Sequence, residues 1–342
     1  MKKTGFLLGA LGLGALTYAL KRPSYSFEGK VVLITGGSRG LGLALARVFA
    51  EEGAHLALLA RGEDELARAA AELRANGTQV LTLPCDVRKR EEVRSAVAEV
   101  ASHFGSLDVL VNNAGVIQAG PFEHMQEDDF RDALEVHLWG ALYTVWAALP
   151  HLERSRTGGR IVNIASIGGK VAVPHLLPYA VSKFALVGLS DGLRAELAQA
   201  GVKVTTVCPG LLRTGSYPNV RLKGNHAQEL AWFAVGDSLP LLTMSAPEAA
   251  RKIVEACRRG KAQQILTLPA KVAVFANALS PEVTANLLSV TNRFLPGMNP
   301  VDGDEAKQGR EVDSSWAPSP LTILSDRAAK RHNQPPLNES KS

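Results

Sequence analysis

The segment Pro178-Tyr179-Ala180-Val181-Ser182-Lys183 sets a phenol and an amine four residues apart. Proline stands at the permitted first position of a helix, and Leu186, Leu189, Leu193 and Leu197 continue an apolar face, so the segment is expected to be helical. Tyr179 and Lys183 then lie on one face as i, i+4 neighbours. A phenol with a pKa of about 10 is a poor proton acceptor at neutral pH, and a nearby ammonium stabilises the phenolate and brings that pKa toward the working range. The pair is therefore a candidate acid-base device. Ser166 follows the apolar run Ile161 to Ile164 and would reach the same edge, able to hydrogen-bond a substrate oxygen. A Tyr-x-x-x-Lys alone is a common helix-surface pair; its weight comes from what else the domain holds.

It holds a glycine loop. Thr35-Gly36-Gly37-Ser38-Arg39-Gly40-Leu41-Gly42 follows the β-branched run Val31 to Ile34 and opens a helical pattern at Leu41, Leu45, Val48 and Phe49. Glycine lets a ligand approach the backbone closely, and a helix N-terminus offers unpaired N–H groups and partial positive charge to a pyrophosphate. No Gly-Lys-Ser/Thr ending is present, which argues against a Walker-type phosphate loop. The second strand ends at Ala60-Arg61, where an NAD site would usually place an acid against the ribose 2′-hydroxyl. Arg61, with Arg39 inside the loop, instead suits a 2′-phosphate, which favours NADP(H) over NAD(H).

Strand and helix patterns alternate around these residues. His55 to Leu59 precedes Glu63 to Ala75, Val80 to Leu83 precedes Glu91 to Phe104, and Val109 to Val111, Ile161 to Ile164 and Val202 to Val207 follow. Such alternation implies a single Rossmann-type α/β domain: a doubly wound parallel sheet with helices on both faces, binding ligands beyond the carboxyl ends of its strands.

With these motifs in order, the chain resembles the short-chain dehydrogenase/reductase family from about Phe27 to about Leu268. Residues 35 to 42 match its Thr-Gly-x-x-x-Gly-x-Gly, with Gly36, Ser38, Arg39, Gly40, Leu41 and Gly42 at the cofactor. Asp86 and Val87 match the Asp-Val that touches adenine, and Asn112-Asn113-Ala114-Gly115 the segment ending the fourth strand. Ser166, Tyr179 and Lys183 match the catalytic serine and Tyr-x-x-x-Lys, and Pro209-Gly210 and Thr214 match residues near the nicotinamide. The resemblance implies that Tyr179 shuttles the proton, Lys183 also holds the nicotinamide ribose, and Ser166 orients the carbonyl or alcohol during hydride transfer. No metal is implied.

One position departs. The family's fourth catalytic residue is an asparagine, and Leu134-Glu135-Val136-His137-Leu138-Trp139-Gly140 carries His137 there. In the family the main-chain carbonyl of that residue helps to hold a water that connects the lysine to solvent, so the relay is expected to survive, with the imidazole joining it. A damaged relay and a histidine used only for packing are the alternatives. A cofactor-binding sensor or membrane scaffold weakened at His137 is accordingly the rival to an enzyme, and the intact Ser166, Tyr179 and Lys183 argue against it.

The remainder of the chain bears on location and substrate. Of 342 residues, 46% are hydrophobic and 21% charged, which excludes a wholly disordered chain, a coiled coil or a collagen-like fibre. Three scattered cysteines make neither a disulfide framework nor a paired zinc site, and point to a reducing compartment. The net charge is +5, but Lys2, Lys3, Lys21, Arg22 and Lys30 against Glu28 account for +4 of it, leaving +1 elsewhere. That excess flanks an apolar segment rather than forming a nucleic-acid face. Gly5 to Leu20 would span about 24 Å as a helix, short of a hydrocarbon core of about 30 Å. An uncleaved anchor over 1–24 is favoured over a cleaved signal or a buried helix, with the catalytic domain (25–300) in the cytoplasm. Beyond about residue 301 the polar, proline-rich chain reads as a mobile tail over 301–342. Leu211, Leu212, Tyr217, Trp232 and Phe233 could line an apolar pocket. The apolar stretches Val272 to Leu279 and Leu287 to Leu295 could be a lid, a dimer contact, a membrane-docking surface or core. Together these features favour a lipophilic substrate of steroid, retinoid or lipid type. Family analogy suggests a homodimer or homotetramer, through the helix from Met125 onward and the one carrying Tyr179.

Overall fold

The structure, a computed structural model, describes residues 25–239, 242–299, 301–314, 317, 319–320 and 322–334. The expected anchor at 1–24 lies outside the described residues. Seven strands, β1 (Val31–Thr35), β2 (His55–Ala60), β3 (Val80–Pro84), β4 (Val109–Asn112), β5 (Arg160–Ile164), β6 (Lys203–Cys208) and β7 (Gln263–Ile265), form one sheet. Its order is β7-β6-β5-β4-β1-β2-β3 and every pairing is parallel. The strand order reverses between β1 and β4, and this places the open crevice at the ends of those two strands.

The strands are apolar on both sides because both sides are covered. Val32 and Ile34 of β1 face one core with Leu43, Leu45 and Phe49 of α1 (Gly40–Glu51), Leu66 and Leu73 of α2 (Glu63–Ala75), and Ile253 and Val254. Val31 and Leu33 face the other, with Val93, Val97 and Val100 of α3 (Arg90–Phe104) and Val145 and Leu152. On that face α4 (Glu127–Leu134) runs through one π turn (Glu135–Trp139) into α5 (Gly140–Leu152). The catalytic-pair helix is α6 (Leu177–Glu196), with proline in its first turn as expected. Beyond β6 come α7 (His226–Gly236) and α8 (Ala246–Arg259), the latter capped as its sequence suggests by Ser245, whose Oγ accepts from Glu248 N at 3.4 Å.

Two expectations about the C-terminal third need correction. The apolar stretches after β7 are α9 (Leu268–Leu279) and α10 (Pro281–Asn292), and they are not core: Ala270 is the one buried residue of α9, and α10 has none. Phe275, Leu279 and Leu287 are each more than 60% exposed. The described residues of the supposed mobile tail are built into the fold as far as residue 334. Lys307–Gln308 pairs with Arg221–Leu222, Gly309 N donates to Val220 O at 2.9 Å, and α11 (Ile323–Arg331) is fixed by Tyr217, whose hydroxyl bonds Asp326, and by Ser325. Composition misled because this segment is held by polar side chains and backbone groups of distant residues, which leave no apolar period to read.

Candidate active site

Every strand-end motif arrives at one edge. β1 ends at Thr35, whose Oγ1 accepts from the backbone N–H of both Asn113 and Ala114 at 3.0 Å. Asn113 Nδ2 donates in turn to Thr35 O at 3.0 Å and Gly36 O at 3.1 Å. The Asn-Asn-Ala-Gly segment therefore works first as a clamp on the glycine loop. That loop is shaped by missing side chains. Gly36 has φ +63°, and a Cβ on it would meet Ala114 Cα at 3.0 Å; one on Gly42 would fall 2.0 Å from Gly36 O. Gly40, φ +58°, opens α1 with its N–H directed out of the helix. A cradle that Cβ atoms would fill, at a helix N-terminus, fits a dinucleotide pyrophosphate.

Positive charge collects beside it. Arg39 is paired with Glu65 at 3.4 Å, and its pKa is lowered, mostly by burial but also by the neighbouring Arg61 and Arg310. Arg310 had no signal in the sequence because it arrives from the C-terminal segment. Asp86 is engaged by Arg88, whose Nη2 lies 2.6 Å away. Burial raises the Asp86 carboxyl, but Arg88 outweighs it and holds the group below its ordinary value. Val87 packs against Gly140.

Ser166 caps a short turn, its Oγ accepting from Gly168 N at 3.0 Å. A Cβ on Gly168 would lie 3.3 Å from the Tyr179 ring, so serine turn and phenol are in near contact. Lys183 Nζ lies 5.6 Å from the centre of that ring and donates to Ile164 O at 2.9 Å. The electrostatics reverse one expectation. Desolvation pushes the Tyr179 phenol up to about 12, although Ser166 pulls the other way, and desolvation brings the Lys183 ammonium down to about 7. Burial of both charged forms outweighs the help that the ammonium could give the phenolate. At neutral pH Tyr179 is a proton donor.

His137 sits on the π turn, 1% exposed, its ring edge-on to Tyr179 at 5.5 Å. Its Nε2 accepts from Val116 N at 3.2 Å, while Ser182 Oγ donates to Tyr179 O at 2.8 Å. The Ser182 proton being used, the 2.7 Å contact between Nδ1 and Ser182 Oγ has Nδ1–H as donor. Burial, then Lys183, push the imidazole pKa well down. Both ring nitrogens are thus committed to holding α6 against the Val116 loop, and the expected entry of the imidazole into a proton relay is not what the geometry provides.

Pro209 and Gly210 lie beside Ser166: Ile167 N donates to Pro209 O at 2.7 Å, and a Cβ on Gly210 would meet Thr267 Oγ1. Thr214 lies across from the glycine loop, 4.0 Å from where a Gly40 Cβ would stand. Of the supposed pocket liners, Tyr217 and Phe233 are core residues, Leu211 is exposed, and Leu212 and Trp232 are half-buried.

Several residues had no readable motif. Thr144, Asn112, Asn163, Ser190 and Thr206 form a buried polar chain under the site, with links of 2.6, 2.9, 3.0 and 2.8 Å. His175, at φ +63° just before α6, is bonded to the buried Glu229 of α7 at 2.7 Å and ties the covering helix to the catalytic one. Asp237, beyond α7, is buried; desolvation pushes its carboxyl up to about 7, and its charge would oppose a phenolate at Tyr179.

Comparison with known proteins agrees with this geometry. The family model described as short chain dehydrogenase matches residues 30–224. Oxidoreductase UcpA of Salmonella typhimurium is 40% identical over 198 residues, 58% of this chain and 74% of its own. The 11-beta-hydroxysteroid dehydrogenase-like 4A protein of Arabidopsis thaliana is 36% identical over 264 residues, 77% of this chain and 84% of its own. Among solved structures, L-sorbose reductase from Gluconobacter frateurii, complexed with NADPH and L-sorbose, superposes with a TM-score of 0.64 at 30% identity, covering 72% of this chain and 97% of that one.

Proposed function

Since the chain belongs to the short-chain dehydrogenase family, and is therefore an oxidoreductase of CH–OH groups that uses a nicotinamide cofactor, we propose that it interconverts a lipophilic alcohol and its ketone or aldehyde with NADP(H). The observation that carries the reading is the meeting of Ser166, Tyr179 and Lys183 at the strand ends, beside a glycine cradle that holds Arg39, with Arg61 and Arg310 close enough to act on its charge. Three guanidinium groups near one another favour an anion among them, which suits a 2′-phosphate.

The bound nicotinamide supplies or receives the hydride. In the reducing direction Ser166 donates a hydrogen bond to the carbonyl oxygen, and Tyr179 passes its phenolic proton to that oxygen. Lys183, held by Ile164 O, positions the ribose and faces the phenolate left behind. The glycine loop, with Gly36, Ser38, Gly40, Leu41 and Gly42, receives the pyrophosphate. Asp86 and Val87 border the adenine, and Asn113, Ala114, Gly115, Pro209, Gly210 and Thr214 shape the nicotinamide end. His137 acts by position, through its two committed nitrogens.

The lipophilic substrate class rests on the exposed apolar helices α9 and α10, of which α9 adjoins the site at Gly210 and Lys170, and on the segment Gly5 to Leu20, which we read as a membrane anchor over 1–24 with the residues that follow as a cytoplasmic catalytic domain. Among the described residues no helix is long and apolar enough to cross a membrane. Trp146 of α5 and Phe184 of α6, both more than 40% exposed, suit the association of subunits into a dimer or tetramer.

The test is oxidation of NADPH and of NADH by detergent-solubilised protein against steroid, retinoid, fatty and small polar carbonyls. Turnover with NADPH on a lipophilic member is expected, and Tyr179→Phe should lower it by about a thousandfold or more with cofactor affinity nearly intact. Turnover of small polar carbonyls alone would overturn the substrate class, and an NADH preference the cofactor. A reporter fused after Ser342 that is active only outside the cytoplasm would overturn the location.

A further inference from the structure

The space where the dinucleotide pyrophosphate would seat is taken by the chain's own C-terminal segment. Gly40 N–H, the outward donor at the start of α1, donates to His332 O at 2.8 Å. Gln334 Nε2 lies 2.9 Å from where a Cβ on Gly40 would stand, donates to Thr214 O at 3.4 Å, and the same side chain accepts from Asn219 Nδ2 at 2.9 Å. Between them Asn333 Nδ2 donates to Ser38 O at 2.8 Å and Glu65 O at 3.0 Å, and its Oδ1 accepts from Arg68 at 2.8 Å. Three consecutive residues thus bridge the glycine loop to the Thr214 segment across the cradle. They are anchored from behind by α11, whose Ala329 packs on Gly215, and by His332, whose Nδ1 accepts from Arg47 at 3.0 Å.

An N–H that donates to a carbonyl oxygen cannot at the same time serve a phosphate oxygen, and the room that glycine leaves cannot hold both an amide and a phosphate. The contacts are nevertheless of a kind that can be undone. Asn333 and Gln334 contribute hydrogen bonds and no buried hydrocarbon side chain, and Asn333 holds a left-handed conformation at φ +56°, a small strain that release would relieve. Burial secures α11, at Ser325 and Ala329, and His332 just beyond it, whereas Asn333 and Gln334 are only half-buried.

We infer that residues 332–334 are a built-in competitor for the cofactor, so that the C-terminal segment must swing away from the glycine loop before a nicotinamide dinucleotide can seat. This rests on the reading of the loop as the cofactor site. Apparent affinity is reduced by the fraction of molecules in which the cradle is free, so a segment docked nine times in ten weakens binding about tenfold.

The experiment is a calorimetric titration of NADPH and NADH into three proteins: the full chain, the chain lacking residues 332–342, and the full chain carrying Asn333→Ala with Gln334→Ala. Both variants are expected to bind the preferred dinucleotide about tenfold or more tightly. Should the deletion not fold, the double variant decides. In the full chain, saturating cofactor should also speed tryptic cleavage after Lys330 and Arg331. Equal or weaker binding by the variants, or cleavage slowed by cofactor, would overturn the inference and identify the segment as an inert flap or a strap over bound cofactor. Binding of neither dinucleotide by any of the three would instead overturn the reading of the site itself, and this inference with it.

Discussion

The glycine loop and helix α6 meet at the same sheet edge and work in opposite ways. At the loop, function depends on atoms that are missing: Gly36 and Gly42 let backbone approach backbone, and the donors are main-chain N–H groups. On α6 it depends on side chains that are present, Tyr179 and Lys183, placed where their charged forms are penalised by burial. The first region is vulnerable to shape and the second to protonation, so substitutions in the two should fail by different measurements.

The largest effect is expected at the loop. Gly42→Ala puts a methyl 2.0 Å from Gly36 O, a backbone atom that cannot step aside; dinucleotide affinity should fall by about a hundredfold or more with a lowered Tm, since clashes of this kind cost several kcal/mol. If calorimetry finds binding intact, shape is not what governs the loop. On α6 the contrast sharpens with Lys183→Met, which should remove most turnover yet stabilise the protein. The unfolded chain keeps the lysine proton up to the ordinary 10.5, whereas the folded one releases it at about 7. Between those values the unfolded state binds more protons, so the parent's stability climbs with pH, and below about 7 the fold carries the full cost of a buried ammonium. Methionine removes that cost. Urea denaturation should show the variant ahead by roughly 2–4 kcal/mol at pH 6, a gap that closes toward pH 10. Arg61→Asp, at the loop's rim, should shift the ratio of NADPH to NADH affinity about tenfold toward NADH; an unchanged ratio would remove Arg61 from the cofactor argument. The smallest effect belongs to His137→Asn. It should leave kcat/KM within about threefold while lowering stability by roughly 1–2 kcal/mol through lost packing bonds. A large change in the pH profile would place the imidazole in the relay after all.

Both regions were legible in the sequence because local patterns carry them. Strand-turn-helix periodicity and glycine spacing located the loop, and the i, i+4 rule placed Tyr179 beside Lys183. Titration was not legible, since the shifts on both groups arise from desolvation by the whole surrounding fold. Nor was His137: its role depends on Val116 and Ser182, which adjoin it only through the π turn and the packing of α6. The order of the described residues between 307 and 334 escaped for a related reason. Their partners, from Arg47 to Asn219, are distant in sequence, and a polar composition says nothing about whether such partners exist.

The chain of hydroxyls and amides from Thr144 through Asn112, Asn163 and Ser190 to Thr206 has a consequence for how this protein can change over generations. Each member is buried and satisfied by the next, so a replacement at one strands its neighbour, and the penalties of two replacements cannot simply add. These five positions, spread over two helices and three strands, can drift only in concert. A chimera joined between residues 112 and 163 would have to import its half of the chain from a parent that solved the same puzzle.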